Sequence, residues 1–106
     1  MLYFEWDGQK ARENRRNHKV SFEAASAALE DPFAIEEEDL TDDGEQRLRT
    51  VGMAEGAVVV VVIHVDRTYP GNQDVIARII SARKATPGER REYDQHRAQI
   101  GGNTAQ

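Results

Sequence analysis

Blocks of apolar residues, separated by polar turns, predict a domain that contains both strands and helices. Residues 57–65 are β-branched almost throughout and predict a central strand that is covered on both faces. Residues 46–53 alternate arginine and valine with leucine and threonine, which predicts a strand with one wet face. Further strands are predicted at 2–6, within the acidic stretch 33–43, and at 75–82.

Three helices are predicted from capping signals and from helical spacing. Asp7 precedes a helix at 8–18 whose one clearly apolar residue is Ala11, so a wide apolar stripe cannot hold it in place. Ser21 caps a second helix, which ends at Asp31-Pro32 because the residue before proline avoids the helical region. The capping box Thr86-Pro87-Gly88-Glu89 predicts a last helix that ends at about Arg97.

The element order β-α-α-β-β-β-β-α predicts the fold class α+β. Because consecutive strands are joined by short turns, among them Asp42-Asp43-Gly44, we expect an antiparallel sheet of four to five strands. Two N-terminal helices and one C-terminal helix would pack on this sheet. With 106 residues the chain fits one domain, predicted at 1–98, followed by a disordered tail at 99–106.

Charge is segregated along the chain. The formal net charge is −5, but nine of the 19 acids lie between Glu30 and Glu45, where there is no base. Without this segment, ten acids remain against 14 bases, which is a net charge of +4. A basic body suits nucleic-acid phosphate, and the acidic segment suits a basic protein partner.

Several classes of function lack their motifs. With no cysteine, the chain has no thiolate nucleophile and no disulfide framework. The longest apolar run is far too short for a membrane helix and no secretory leader is present, so we expect a cytoplasmic protein without membrane contact. The histidines lack the spacing of a helical metal site, no glycine loop could hold a nucleotide, and no serine has a nucleophile-elbow motif; we expect neither metal nor cofactor.

Cleavage of RNA remains compatible with the residues present. RNA supplies its own 2′-hydroxyl nucleophile, so the protein needs a proton acceptor, cations for the pentavalent phosphorane, and a proton donor for the leaving oxygen. Arg47, Arg67, Arg78 and Arg83 lie on or beside three consecutive strands and could clamp a phosphate. Arg78 and Arg83 are five positions apart, however, and side chains of a regular strand alternate between its two faces, so these two would lie on opposite faces.

Four other side chains have two interpretations each. Asn14 and His18 hydrogen-bond the sheet or the following turn, in place of the missing apolar stripe, or else His18 acts as a base or acid. Tyr93 is either a core ring or a ring that stacks on an unpaired base. Trp6 is either a core anchor, which is the favoured interpretation, or a platform for a base.

The combined motifs resemble the BrnT family of type II toxins over residues 3 to about 94. The N-terminal part of the resemblance consists of Phe4-Glu5-Trp6-Asp7, Lys10-Ala11, Asn14, His18, Val20-Ser21-Phe22-Glu23-Ala24-Ala25 and Asp31-Pro32. It continues through Glu45, Arg47, Val51-Gly52, the valine strand, Arg67, the segment Arg78 to Ala85, Glu89 and Tyr93. The family generally has a glycine at the position of Lys19.

The resemblance implies a RelE/ParE-like fold and a metal-independent endoribonuclease that inhibits translation. It also implies a BrnA-type ribbon-helix-helix antitoxin as partner, through which the toxin reaches operator DNA, and a toxin dimer within a heterotetramer. The implied catalytic residues are His18, Arg67, Arg78, Arg83 and Tyr93: the arginines hold the phosphate, His18 or Lys10 moves protons, and Tyr93 positions a base. The residues predicted to bind RNA are Lys10, Arg15, Arg16, Arg47 and Lys84.

Two other functions stay open at this point. A catalytically lapsed homologue would persist as an antitoxin-binding and promoter co-repressing module. A ParE-like protein would instead inhibit gyrase and leave RNA intact. Similarity of fold does not separate these functions.

Overall fold

A computed structural model of the chain describes residues 1–40 and 46–102. Its elements, in chain order, are β1 (Leu2–Glu5), α1 (Gly8–His18), α2 (Phe22–Leu29), β2 (Ile35–Leu40), β3 (Gln46–Ala54), a short 3-10 helix (Glu55–Ala57), β4 (Val58–Thr68), β5 (Val75–Lys84) and α3 (Pro87–Gly102). This agrees with the predicted order of strands and helices. The predicted turn Asp42-Asp43-Gly44 lies outside the described residues.

The five strands form one mixed sheet in the order β1-β5-β4-β3-β2. The four strands β2 to β5 are antiparallel to their neighbours, but β1 runs parallel to β5, with Leu2 opposite Val75 and Glu5 opposite Arg78. The prediction of an antiparallel sheet is therefore wrong at β1. That prediction rested on short turns, which make consecutive strands antiparallel. Strand β1 pairs with a strand about 70 residues later, so no short turn determines whether the two run parallel or antiparallel.

Two small cores lie on the two faces of the sheet. The back face, covered by α1 and α2, carries Val60, Val62 and Ile79 against Phe22 and the alanines of α2. The front face carries Val51, Val59 and Val61, against which Tyr93 of α3 packs. Successive valines of β4 thus alternate between the two cores, which confirms the prediction of a central strand covered on both faces.

The predicted caps begin all three helices. Asp7 accepts a hydrogen bond from Gln9 N at 2.9 Å, and the hydroxyl of Ser21 accepts one from Ala24 N at 3.1 Å. In α3, Thr86 N donates to Glu89 Oε1 at 2.8 Å and Glu89 N donates to Thr86 Oγ1 at 3.2 Å, which is the predicted capping box. Trp6 packs edge-on against Phe22 with ring centroids 6.0 Å apart, so it is a core residue, as predicted.

The end of α3 differs from the prediction. The helix continues to Gly102, five residues beyond Arg97, so residues 99–102 are helical although they were assigned to a disordered tail. A helix without a proline or an early cap glycine has no signal that stops it at Arg97. The remainder of the predicted tail, 103–106, lies outside the described residues.

In the described part of the chain, no helix is both long enough and apolar enough to cross a membrane.

Candidate functional site

A β-bulge places Arg78 and Arg83 on the same face of the sheet. Arg83 lies opposite Val61 and Arg78 opposite Val65, and these two residues of β4 share a face. Between the two pairs, Ile63 lies opposite Ser81 and His64 opposite Ile79, so Ile80 is an extra residue on β5. The expectation from parity that the two arginines lie on different faces is therefore wrong.

Glu89 bridges two arginines of the front face. Both carboxylate oxygens bind Arg83, at 2.7 Å from Nη1 and 2.9 Å from Nη2, and Oε2 also accepts a hydrogen bond from Arg49. The bidentate hydrogen bond from Arg83 is the main cause that holds the pKa of Glu89 well below its usual range. The same contact raises the pKa of Arg83. Glu89 is therefore ionised and fixes the two guanidinium groups side by side.

Glu5 bridges a second pair of arginines farther along the front face. Its Oε1 accepts hydrogen bonds from Arg67 Nη2 and, at 3.5 Å, from Arg78 Nη1. About half of each arginine side chain is exposed. Arg78 lies opposite Val65 and Arg83 opposite Val61, four residues apart on β4. The backbones of the two arginines are therefore about 13 Å apart along the strand.

His18, the last residue of α1, lies beside the first arginine pair. It lines a cavity of about 260 Å³ together with Arg49, Arg83, Ser81 and Asp39. His18 also borders a smaller depression that Lys10 and Asn14 line. Of the two side chains to which the resemblance gives proton transfer, His18 therefore shares a cavity with Arg83, and Lys10 lines the adjoining depression.

Other predicted RNA-binding residues are spread over the molecule. Arg47 precedes Arg49 by two residues on β3 and so belongs to the front face. Arg15 and Lys84 line a different cavity of about 410 Å³, whose wall includes Val60 of the back face. Arg16 is exposed on α1. The structure thus brings Arg47, Arg67, Arg78 and Arg83 to one face and separates them from Arg15 and Lys84.

Tyr93 is a core residue. Its side chain is fully buried, and its hydroxyl donates a hydrogen bond to Asp31 Oδ2, which also accepts one from Met53 N at 2.8 Å. Burial, aided by the neighbouring Asp31, raises the pKa of Tyr93 to about 12. For Asp31, burial acts to raise the pKa, but the hydrogen bonds from Tyr93, Met53 and Phe33 outweigh it and lower the pKa. No face of the Tyr93 ring is free to stack on a base, so the core interpretation is the one that the structure supports.

Asn14 takes the structural role that one interpretation gave it. Its side chain donates to the backbone oxygens of Val20, at 2.9 Å, and Ala82, at 2.8 Å, and it accepts a hydrogen bond from Ala82 N at 3.0 Å. His18 is exposed and makes no such bond to the sheet in the described part of the chain. The two residues therefore differ in role: Asn14 fixes α1 to the sheet and leaves His18 at the cavity.

Three residues of the site were not predicted. Arg49 had a signal, since the alternation of β3 places it beside Arg47 on the wet face. Glu89 was recognised only as a capping residue, and Glu5 only as part of a motif. Glu5 contacts arginines that lie 62 and 73 positions away in the sequence, and Glu89 contacts Arg49, which lies 40 positions away. Local sequence patterns do not reveal such contacts.

Among residues 1–40 and 46–102, no three histidine, aspartate or glutamate side chains come together in a group that could hold a metal ion.

Comparisons with known proteins agree with the fold. No curated protein matches the chain. Among solved structures, the crystal structure of the Brucella abortus ribonuclease toxin BrnT is similar, with a TM-score of 0.54 and 24% sequence identity, covering 81% of this chain and 97% of that one. At this identity the likeness shows a shared fold. A sequence model of the family described as "Ribonuclease toxin, BrnT, of type II toxin-antitoxin system" matches residues 6–89. Since that match spans well over half of the 106 residues, the chain belongs to the BrnT family of type II toxin-antitoxin systems.

Proposed function

We propose that this protein is an endoribonuclease toxin that binds RNA on the front face of its sheet, cleaves it without a metal ion or cofactor, and thereby inhibits translation in the cytoplasm. The observation that carries the proposal is the pair of arginines, Arg49 and Arg83, fixed by Glu89 beside His18 in one cavity. The proposal includes the classification as a RelE/ParE-like fold, which rests on the resemblance of the sequence.

The arginine pair suits a scissile phosphate. Each guanidinium has five N–H donors, and Glu89 uses only part of them, so donors remain for phosphate oxygens. Arg83 is 42% exposed and Arg49 27% exposed, which leaves both within reach of a ligand. Arg49, Arg83 and Glu89 together carry a formal charge of +1, but Glu37, 3.6 Å from Arg49, and Asp39 in the cavity lining add two negative charges. The site therefore suits a phosphate through the directed N–H donors of its arginines and not through its net charge.

The reaction needs two proton transfers. The RNA 2′-hydroxyl loses its proton to a base and attacks phosphorus, and the bond from phosphorus to the 5′-oxygen breaks as that oxygen takes up a proton. The products are a 2′,3′-cyclic phosphate and a 5′-hydroxyl end. The two guanidiniums stabilise the negative charge of the phosphorane. His18 moves a proton, since an imidazole nitrogen can accept or donate one, and Lys10 lines the depression that His18 also borders.

The second pair, Arg67 and Arg78, would hold the RNA chain at another phosphate. Arg78 lies about 13 Å along the strand from Arg83, and Glu5 holds the guanidiniums of Arg67 and Arg78 at that end of the face. We assign these two arginines to binding and positioning.

The test is a cleavage assay with purified protein and a defined RNA in the presence of a chelator. We expect cyclic-phosphate products, no cleavage of the same RNA with 2′-O-methyl groups, and a loss of about 100-fold or more in rate for Arg83→Ala. Lys84→Ala is the matched control, since it removes a neighbouring cation from the other cavity, and it should retain its rate within about twofold. Intact RNA with the folded wild-type protein would contradict the proposal.

One observation favours the alternative of a catalytically lapsed, antitoxin-binding and promoter co-repressing protein. All four arginines of the two pairs are already bound to carboxylates. Under this alternative, expression of the chain alone does not arrest growth, the folded protein leaves RNA intact, and a BrnA-type ribbon-helix-helix antitoxin still binds it and represses operator DNA. A heterotetramer that contains a toxin dimer is compatible with both functions.

A further inference from the structure

Strand β2 is an open edge of the sheet. Within the described residues, Ile35–Leu40 pairs with β3 on one side and with no strand on the other. An edge strand presents unpaired backbone N–H and C=O groups, which are able to pair with an added strand. Four successive residues of this edge, Glu36, Glu37, Glu38 and Asp39, are acidic. These charges repel a second copy of the same edge, and they also repel RNA, but they attract a basic strand.

A cavity of about 250 Å³ adjoins this edge on the back face. Its polar lining consists of Glu36, Asp66, Thr50 and His64, and its apolar lining of Leu2, Leu29, Ala34 and Ala77. His64 is 1% exposed and already satisfied, since Nδ1 lies 2.8 Å from Asp66 Oδ1 and Nε2 lies 2.8 Å from Thr50 Oγ1. In the described part of the chain, Glu36 is exposed and forms no ion pair.

The two carboxylates and the apolar wall together fit one kind of side chain. Arginine and lysine have an apolar stem that packs on such a wall and a cationic end that binds carboxylates. The cavity is smaller than a site for a drug-sized ligand, which spans about 300–1,000 Å³, and it suits a single inserted side chain.

We propose that β2 binds an extended basic segment of the partner protein as a sixth strand, and that one arginine or lysine of this segment enters the cavity between Glu36 and Asp66. The inference extends the proposed function, because it assigns the antitoxin's contact on a toxin. Backbone hydrogen bonds would supply the pairing, and the alternate side chains would supply the specificity.

The same contact would close the RNA site. Glu37 and Asp39 face the front side of β2: Glu37 lies 3.6 Å from Arg49, and Asp39 lines the cavity of His18. Basic side chains on this side of the added strand would therefore lie against the entrance to the arginine pair. They would pair with Glu37 and Asp39 and occupy this entrance, so their bulk would obstruct access of RNA.

The test titrates the full chain with an octapeptide of alternating arginine and threonine, without RNA. We expect Glu36→Gln and Asp66→Asn each to weaken binding about fivefold, because each removes one charge from the cavity. Both changes keep the shape of the side chain, and the asparagine oxygen can still accept from His64 Nδ1. Glu38→Gln, on the same strand but outside the cavity lining, should have the smaller effect, and Glu55→Gln, at the other end of the sheet, should have none.

Two further readouts test strand addition itself. The peptide should slow hydrogen exchange of the amides in residues 35–40, and a version with N-methylated backbone should bind at least about tenfold more weakly. Equal binding of the methylated peptide, or equal effects of Glu36→Gln and Glu55→Gln, would overturn the proposal.

The cleavage assay separates this inference from the function on which it rests. Glu36→Gln without peptide should cleave RNA at the wild-type rate within about twofold, because Glu36 lies on the back side of β2. A protein that cleaves RNA but fails to bind the peptide overturns the inference alone. A protein that binds the peptide as described but leaves RNA intact overturns the proposed ribonuclease and supports the edge as a partner site.

Discussion

The side chain of Asn14 pairs with the backbone of Ala82 in the way that a neighbouring strand would. Asn14 Nδ2 donates to Ala82 O at 2.8 Å, and Ala82 N donates to Asn14 Oδ1 at 3.0 Å. Strand β1 pairs with β5 only from Val75 to Arg78, so around Ala82 β5 pairs with β4 on one side and with no strand on the other. The side-chain amide of Asn14 thus satisfies the backbone groups at the free edge of β5. Because Asn14 is the single buried residue of α1, the same contact holds this helix against the sheet.

Replacement of Asn14 by alanine should therefore cost more stability than its size suggests. The change leaves the N–H and C=O of Ala82 and the C=O of Val20 without partners, and we expect a loss of about 3 kcal/mol in the free energy of unfolding, measured by urea denaturation. Asn17→Ala on the exposed side of the same helix is the control and should change stability by less than about 0.5 kcal/mol. Equal effects of the two changes would show that the pairing with Ala82 contributes little.

Glu89→Gln should lower RNA cleavage although it makes the site more positive. Glutamine keeps the capping position, but it cannot bind Arg83 and Arg49 as a carboxylate does. If Glu89 fixes the guanidiniums for the reaction, kcat/KM should fall by about 10- to 100-fold, while RNA affinity rises with the added charge. Cleavage assays and binding titrations at two salt concentrations measure the two effects. A rise in kcat/KM would show that Glu89 only masks the arginines.

Tyr93→Phe should destabilise the fold by about 2 kcal/mol at neutral pH, because Asp31 loses a hydrogen bond from a buried hydroxyl. The pKa of Asp31 is lowered on folding, so its contribution is present above pH 3.8 and declines as the pH falls below that value. The pKa of Tyr93 is raised from 10.0 to about 12, so its contribution is present below pH 10 and declines as the pH rises toward 12. The stability difference between wild type and variant should therefore be largest between these limits. Denaturant titrations across the pH range measure it, and a difference that is independent of pH would contradict the assigned contact.

Replacement by alanine should destabilise the protein at Gly52 but not at Gly88. A Cβ at Gly52 would lie 2.4 Å from the backbone oxygen of Ala28, so α2 would have to move away from β3, at a cost of about 1–3 kcal/mol. At Gly88, in the first turn of α3, the closest atom would be 3.9 Å away, and alanine should be neutral or add about 0.5–1 kcal/mol through its helix propensity. Thermal denaturation distinguishes the two outcomes. If Gly52→Ala were tolerated, the close approach of α2 would not limit the packing of the back face.

Local sequence patterns predicted most of the elements because each has its own signal. The valine run defined β4, the Ser21 and Thr86 caps located α2 and α3, and alternation placed Arg47 on a wet face. The parallel pairing of β1 with β5 had no such signal, since it depends on where the chain returns after three intervening strands.

Only some residues of the site were predicted, and the reason is related. Arg67, Arg78, Arg83 and His18 were candidates, but the residues that organise them, Glu5 and Glu89, act through contacts between distant parts of the chain. The role of Tyr93 depended on whether its ring is exposed, and burial by Val51, Val59 and Val61 follows only from the packed fold.

The extra residue Ile80 makes the length of β5 a determinant of which side chains meet. With the same five-residue spacing but no bulge, β5 would turn Arg78 toward the back face and Ile79 toward the front face, with no change at any functional position. Deletion of Ile80 would instead leave a regular strand in which the two arginines are four positions apart and still share a face. Among sequences of this kind, we therefore expect a spacing of five between these two arginines where the bulge is present and a spacing of four where it is absent.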